Sequence, residues 1–121
     1  MARLSGGERQ RVFLAMVLAQ DTDIIFLDEP TTYLDIKVCY EIMDLIASLN
    51  GEFGKTMILV LHDLNLALNY SHKIILMEKG RIIANDTPYN IVHSGEIGNV
   101  FGIEIKCFSD EGRFYYCFDK I

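Results

Sequence analysis

Ile24-Ile25-Phe26-Leu27-Asp28-Glu29-Pro30-Thr31-Thr32-Tyr33-Leu34-Asp35 is the stretch that decides how this chain reads. Four apolar residues run directly into two carboxylates. Pro30 stops the run, and a short polar turn leads on. An apolar run of this length, bounded by turn residues, reads as a buried strand. A buried strand that ends in acids sets them at a sheet edge, where open α/β sheets bind ligands. Two adjacent acids make chemical sense there opposite a divalent cation and a phosphate. Mg²⁺ takes hard oxygen ligands, often one or two carboxylates plus phosphate oxygens. A lone Asp-Glu pair is more commonly a solvated strand end, but the hydrophobic lead-in and the flanking motifs favour the chemical reading.

Outward from this stretch, Thr31–Asp35 is a turn into a helix, and Asp35 has the residue type of an N-cap. The helix is expected from about Ile36 to Leu49. Val38, Ile42, Leu45, Ile46 and Leu49 fall on one face at helical spacing, which is core packing. Asn50-Gly51 fits its stop signal. A second strand, Met57–Leu61, ends in His62-Asp63. Strand, helix and strand make a βαβ unit, so the two strands are expected to be parallel with a right-handed crossover. His62 then emerges at the same sheet edge as Asp28 and Glu29. A histidine at a strand end is usually structural, but beside two acids it is placed for proton or phosphate chemistry. Gly54-Lys55-Thr56 looks like the tail of a phosphate-binding loop. However, Leu49 stands where the first glycine is required, and the triplet opens a strand rather than a helix. It reads as a turn.

Towards the start, Leu4–Gln10 reads Leu-Ser-Gly-Gly-Glu-Arg-Gln. Ser5 and Glu8 have the spacing of a capping box ahead of an apolar run, so a helix is expected from near Gly6 to about Gln20. Two glycines at a helix start remove side-chain bulk and let bare N–H groups approach a ligand closely. The positive end of a helix suits an anion such as phosphate. A plain capped helix with tolerated glycines explains the same residues equally well. Towards the end, Asp63 fits the cap of a helix Leu64–Tyr70. Lys73–Met77 and Arg81–Ala84 flank Glu78-Lys79-Gly80 as a hairpin. Pro88 sits near the start of a short helix, and Ser94-Gly95-Glu96 opens another that ends near Phe101-Gly102. Ile103–Phe108 and Arg113–Phe118 form a second hairpin. His72, His93 and the tail aromatics Phe114, Tyr115, Tyr116 and Phe118 have no motif around them and read as surface and packing residues.

The 121 residues point to one domain, and half of them are apolar, enough for a core. A net charge of −6 and the absence of a basic patch make nucleic acid and anionic membrane surfaces poor direct partners. Three cysteines without metal-type spacing read as reduced thiols of a cytosolic setting. No apolar run approaches the roughly 18–20 residues of a membrane span, and no secretory signal opens the chain.

Taken in order, Leu-Ser-Gly-Gly-Glu-Arg-Gln, Ile-Ile-Phe-Leu-Asp-Glu-Pro, Tyr-Leu-Asp and Leu-His-Asp resemble the nucleotide-binding subunit of an ABC transporter. The resemblance covers essentially the whole chain. The wording Glu-Pro-Thr-Thr-Tyr-Leu-Asp, Leu-His-Asp-Leu-Asn-Leu-Ala and Val-Phe-Gly-Ile-Glu is similar to the importers of ferric siderophores, haem and cobalamin. The implied fold is α/β, the parallel-sheet core of a P-loop NTPase without its N-terminal part, followed by β-hairpins and short helices. The implied segments are a signature helix (1–20), a core with the metal-binding acid and the switch histidine (21–85), and C-terminal helices and a hairpin (86–121). The resemblance further implies ATP and Mg²⁺ as cofactors. Asp28 would hold Mg²⁺, usually through water. Glu29 would polarise the attacking water, and His62 would contact the γ-phosphate. Ser5, Gly6, Gly7, Glu8 and Gln10 belong to the signature motif, in which Ser5 and Gly7 would touch ATP held by the opposite subunit. Leu34-Asp35 matches a loop that crosses the dimer interface. Implied partners are a second nucleotide-binding subunit and transmembrane permease subunits, which would hold the protein at the inner face of the cell membrane.

Members of this family carry a P-loop, an adenine-stacking aromatic and a glutamine loop ahead of the signature, and none of the three lies in these 121 residues. The P-loop backbone and lysine normally cradle the phosphates. The expectation is therefore a C-terminal portion of such a subunit, with little ATPase activity by itself. The alternative is a catalytically inactive subunit acting as an interaction or dimerisation module. An ABC ATPase of chromosome or repair machinery is a third reading, disfavoured by the Tyr-Leu-Asp turn directly after Glu-Pro and by the lack of basic or coiled-coil sequence.

Overall fold

The apolar run that opened the sequence reading becomes a strand with one wet face and one dry face. A computed structural model describes residues 6–121, apart from the side chains of Gln10 and Phe13. The chain falls into two compact units, the first ending at His62 and the second spanning Asp63–Ile121. In the first unit, α1 (Gly6–Ala19) leads into β1 (Ile24–Asp28), α2 (Ile36–Gly51) and β2 (Thr56–Val60). The strands β1 and β2 are parallel neighbours, as a crossover through a helix dictates, in a register that sets Ile24 beside Thr56 and Asp28 beside Val60.

Side chains alternate along β1. Ile25 and Leu27 are buried, whereas Ile24, Phe26 and Asp28 are exposed. The core of this unit also takes α2, which packs along β2 and whose Ile42, Met43, Ile46 and Leu49 are all buried. At about 2 kcal/mol for each such side chain, this face is the main stabilisation of the unit. The sequence periodicity named Val38, Ile42, Leu45, Ile46 and Leu49 for this face. Val38 and Leu45 are only half-buried, and Met43, not on that list, is buried. A flexible methionine fills the gap at the margin of the stripe. On α1, Leu14 is buried and Arg11 forms an ion pair with Glu41 of α2.

The end of α2 differs from expectation. Gly51 is the last residue of the helix with Glu52 as its C-cap, and the left-handed turn comes later, at Gly54. Gly54 is left-handed (φ 67°), and its N–H donates to the carbonyl of Asn50. That bond is the one a C-terminal glycine makes when it closes a helix, and a side chain at this φ would be strained. Asn50-Gly51 misled because Asn50 serves the stop from upstream: its carbonyl accepts from Gly54, and its side chain bonds the Lys55 carbonyl at 2.8 Å.

The second unit is built from α3 (Leu64–Tyr70), β3 (Ile74–Glu78), β4 (Arg81–Asp86), α4 (Pro88–Ser94), α5 (Glu96–Phe101), β5 (Ile103–Asp110) and β6 (Arg113–Lys120). Its two sheets are antiparallel hairpins, β3-β4 and β5-β6. Each turns on two residues with positive φ, Lys79-Gly80 and Glu111-Gly112, the backbone that matches strand twist in a two-residue loop. The strands therefore run closer to the tips than the sequence pattern placed them. Leu68, Leu76, Ile91 and Ile97 form the core, with Ile103, Ile105, Tyr116 and Phe118 packed against it. Short helices hold because they are capped: Asp63 accepts from Leu66 N–H, and Thr87 accepts from Asn90 N–H with Pro88 following.

Candidate functional site: a carboxylate pair and a histidine at one strand edge

Asp28 is the last residue of β1 and is exposed. Its neighbour across the sheet is Val60, and the Glu29 N–H donates to the Val60 carbonyl at 2.9 Å. That bond carries the pairing one residue beyond the strand. At Glu29 the chain turns sharply, with φ 51° in the left-handed region. A non-glycine residue there is sparsely populated and is held only where its surroundings over-determine it. The turn directs the Glu29 carboxylate to His62, which lies two residues beyond the end of β2. Glu29 Oε1 accepts from His62 Nε2, as a salt bridge when the imidazole is protonated and as a hydrogen bond when it is neutral. The His62 side chain is 78% exposed and that of Glu29 38%. Parallel pairing thus brings Asp28, Glu29 and His62 to the same edge, as the βαβ reading required.

Pro30 is buried and fixes the start of the next turn. Thr32 N–H donates to the Glu29 carbonyl and Leu34 N–H to the Thr31 carbonyl, at 3.3 and 3.4 Å. Tyr33 has φ 66° and a fully exposed side chain. Asp35 closes the turn as the N-cap of α2, its Oδ1 accepting from Val38 N–H at 2.9 Å. The Cys39 thiol, one helical turn further on, lies 3.3 Å from the Thr31 carbonyl and 3.5 Å from the Leu34 carbonyl. No sequence signal marked Cys39, because its partners are backbone atoms and leave no motif.

Lys55 settles the phosphate-loop lookalike. It is buried at 8% exposure, and its Nζ donates to Asp21 Oδ1 at 3.1 Å. A lysine spent on this contact at the foot of β2 is not presented to a ligand. Of the signature residues, Ser5 lies outside the described residues, so its capping box with Glu8 does too. Gly6 and Gly7 open α1, with Glu8 exposed on its first turn. Gln10 lies on the same helix, with its side chain outside the description. His93 stacks on Tyr89 with ring centroids 4.0 Å apart and donates from Nδ1 to the Tyr89 carbonyl, a local contact at the end of α4.

With this arrangement in view, comparison with known proteins is decisive. The family described as ABC transporter matches residues 1–32, which carry the glycine-rich helix start and the Asp28-Glu29 edge. The petrobactin import ATP-binding protein FpuC of Bacillus anthracis is 42% identical over 93% of this chain. The chain belongs to the ABC transporter ATP-binding family. Other relatives, at similar identity, are named for siderophore, iron(3+)-hydroxamate and ferric enterobactin import. The chain spans about two fifths of the length of the curated relatives it matches (42% of FpuC).

Solved structures agree on the α/β ATPase fold. A metal-chelate type ABC transporter in an inward-facing conformation superposes with a TM-score of 0.84 at 25% identity, covering 98% of this chain and 47% of that one. The ATP-binding cassette MJ0796, in a dimeric post-hydrolysis state with ADP and Pi, superposes with a TM-score of 0.62 at 41% identity over 70% of this chain and 36% of that one. Among the described residues, no helix is long and apolar enough to cross a membrane.

Proposed function

We propose that this chain supplies the water-activating edge of an ATP-hydrolysing site that drives import of a metal chelate, of the ferric siderophore kind. The observation that carries the proposal is the convergence of Asp28, Glu29 and His62 at one end of a parallel strand pair, with Glu29 turned onto His62. Glu29 accepts a hydrogen bond from the attacking water. The water oxygen bonds to the γ-phosphorus while the bond to the bridging oxygen breaks; the water's proton passes by way of the Glu29 carboxylate to the phosphate products, and ADP leaves. His62 contacts the γ-phosphate, and its bond to Glu29 fixes the two side chains relative to each other. Phosphoryl transfer asks for positioning and charge rather than covalent chemistry, which this edge can provide.

The donor chemistry fits Mg²⁺ brought in with a nucleotide. Among the described residues no group of three or more His, Cys, Asp or Glu forms a cage for a metal ion. Asp28 offers one carboxylate of the hard-oxygen type, and Mg²⁺ commonly takes its remaining ligands from phosphate and water. The bound ion would neutralise charge on the phosphates.

The signature residues Ser5, Gly6, Gly7, Glu8 and Gln10 serve the nucleotide of a second subunit, and Leu34-Asp35 lies at the interface with it. Asp35 does so through the backbone it caps, since its carboxylate is bonded to Val38. The relatives' names and the dimeric cassette support this assignment, as does the position of the Gly6-Gly7 helix start at the head of α1. Permease subunits hold such a dimer at the inner face of the membrane.

No Gly-x-x-x-x-Gly-Lys-Ser/Thr occurs in these 121 residues, and Lys55 is committed elsewhere. The 121-residue chain assayed alone is therefore expected to show little MgATP turnover. Brisk turnover that disappears in Glu29→Gln would overturn the need for a separate phosphate cradle. The same absence favours a second reading, a catalytically silent interaction module. Light scattering with and without an intact family member separates the two: a module forms a mixed complex that is unchanged by Glu29→Gln and by nucleotide.

A further inference from the structure

We infer that Cys39 is a positioning residue for the turn that joins the Asp28-Glu29 edge to Asp35. This assignment rests on the reading of Glu29 given above. The turn has two residues at positive φ, Glu29 (51°) and Tyr33 (66°), neither of them glycine. Such a backbone persists only when neighbouring contacts hold it. Tyr33 is fully exposed, so packing of its own side chain does not hold it. The backbone bonds inside the turn are long, at 3.3 and 3.4 Å.

The thiol of Cys39 reaches both ends of the inner turn. Its Sγ is 3.3 Å from the Thr31 carbonyl and 3.5 Å from the Leu34 carbonyl, distances suited to a sulfur donor. One S–H proton shared between two carbonyls draws them together and closes Thr31–Leu34 into a loop. Cys39 can do this because it stands on the first turn of α2, where its own N–H donates to the Asp35 carbonyl at 2.9 Å. The thiol is half-buried, so water does not compete freely for the two carbonyls. A rigid helix thereby fixes the chain on the far side of Glu29, just as the Val60 carbonyl fixes it on the near side.

The test uses the full chain and three variants at position 39. Cys39→Val keeps bulk and loses the donor, Cys39→Ser keeps a donor, and Cys39→Ala loses both. In Cys39→Val and Cys39→Ala, the φ-dependent NMR coupling of Tyr33 is expected to leave its left-handed value, and Leu34 amide exchange to rise roughly threefold. Cys39→Ser is expected to retain both. In a Cys107→Ser, Cys117→Ser background the infrared S–H band of Cys39 should lie below that of a free thiol, a readout that needs no folded variant at position 39. An unshifted band would overturn the assignment. So would a Tyr33 coupling that survives Cys39→Val, or Cys39→Ser behaving like Cys39→Val. None of these readouts involves nucleotide, so failure here is distinct from failure of the ATPase reading, which Glu29→Gln addresses.

Discussion

Asp28, Glu29 and Asp35 are three acids within eight residues, and the structure separates their work. Asp28 ends a strand and stays open to solvent, Glu29 turns back onto His62, and Asp35 caps a helix. Replacing Asp35 with alanine removes the acceptor for Val38 N–H, and about 1 kcal/mol of stability is expected to go with it. Asp35→Asn should recover most of that loss, as read by urea denaturation. A fourth acid gives a pH effect. Asp86 accepts from the Asn90 side-chain amide at 2.9 Å and from Thr87 N–H at 2.7 Å. The Asn90 bond, then the Thr87 bond, hold its carboxyl below the ordinary value of 3.8, with burial opposing and Lys73 adding slightly. A depressed folded pKa stabilises the native chain above 3.8, and that contribution is lost as pH falls through the folded value. Carboxyl NMR titration should place the Asp86 midpoint below 3.8, and Asn90→Ala should move it back towards 3.8.

At the scale of elements, legibility followed how local each cause was. Asp63 and Thr87 were visible as caps, because a cap is read from residues three apart. The Asn50-Gly51 pair marked the end of α2 to within a residue or two, but the left-handed glycine that turns the chain is Gly54, which follows Phe53 and so carries no Asx-Gly signal. Met43 was missed because periodicity marks the centre of a stripe, not its margin. Gly98 was not legible at all. It sits in α5, where alanine would ordinarily gain about 1 kcal/mol of helix propensity. A Cβ there would lie 2.7 Å from the Ile103 carbonyl oxygen, a backbone atom. Overpacking of that kind costs roughly 1–3 kcal/mol, enough to outweigh the gain. Gly98→Ala should therefore lower the denaturation midpoint of the Asp63–Ile121 unit, whereas an unchanged or raised midpoint would show that β5 yields easily.

Over the whole molecule, the described residues form three separate two-stranded sheets rather than one continuous sheet. The wet face of β1 and β2 exposes Ile24, Phe26, Ile58 and Val60 beside Asp28. Apolar surface grouped in this way marks a face built to be covered. It also explains why the site was legible only in part. The sequence order of acids, histidine and glycine-rich helix start was enough to place Asp28, Glu29 and His62 together, because parallel pairing follows from βαβ connectivity. The Glu29–His62 bond and the Cys39 tether depend on two positive-φ residues, and nothing in local composition encodes those. No phosphate-loop motif occurs in the sequence, and among the described residues the one lookalike lysine, Lys55, is turned to Asp21.

The central claim is that this edge activates water for ATP hydrolysis once phosphates are held against it. The measurement that tests it most directly joins the P-loop-bearing portion of a siderophore-import relative ahead of residues 1–121 and follows phosphate release from MgATP. The expected result is turnover by the joined protein, negligible turnover by the 121 residues alone, and a loss of about a hundredfold or more in Glu29→Gln, as befits a group acting on the reacting water. Turnover unaffected by Glu29→Gln would contradict the account.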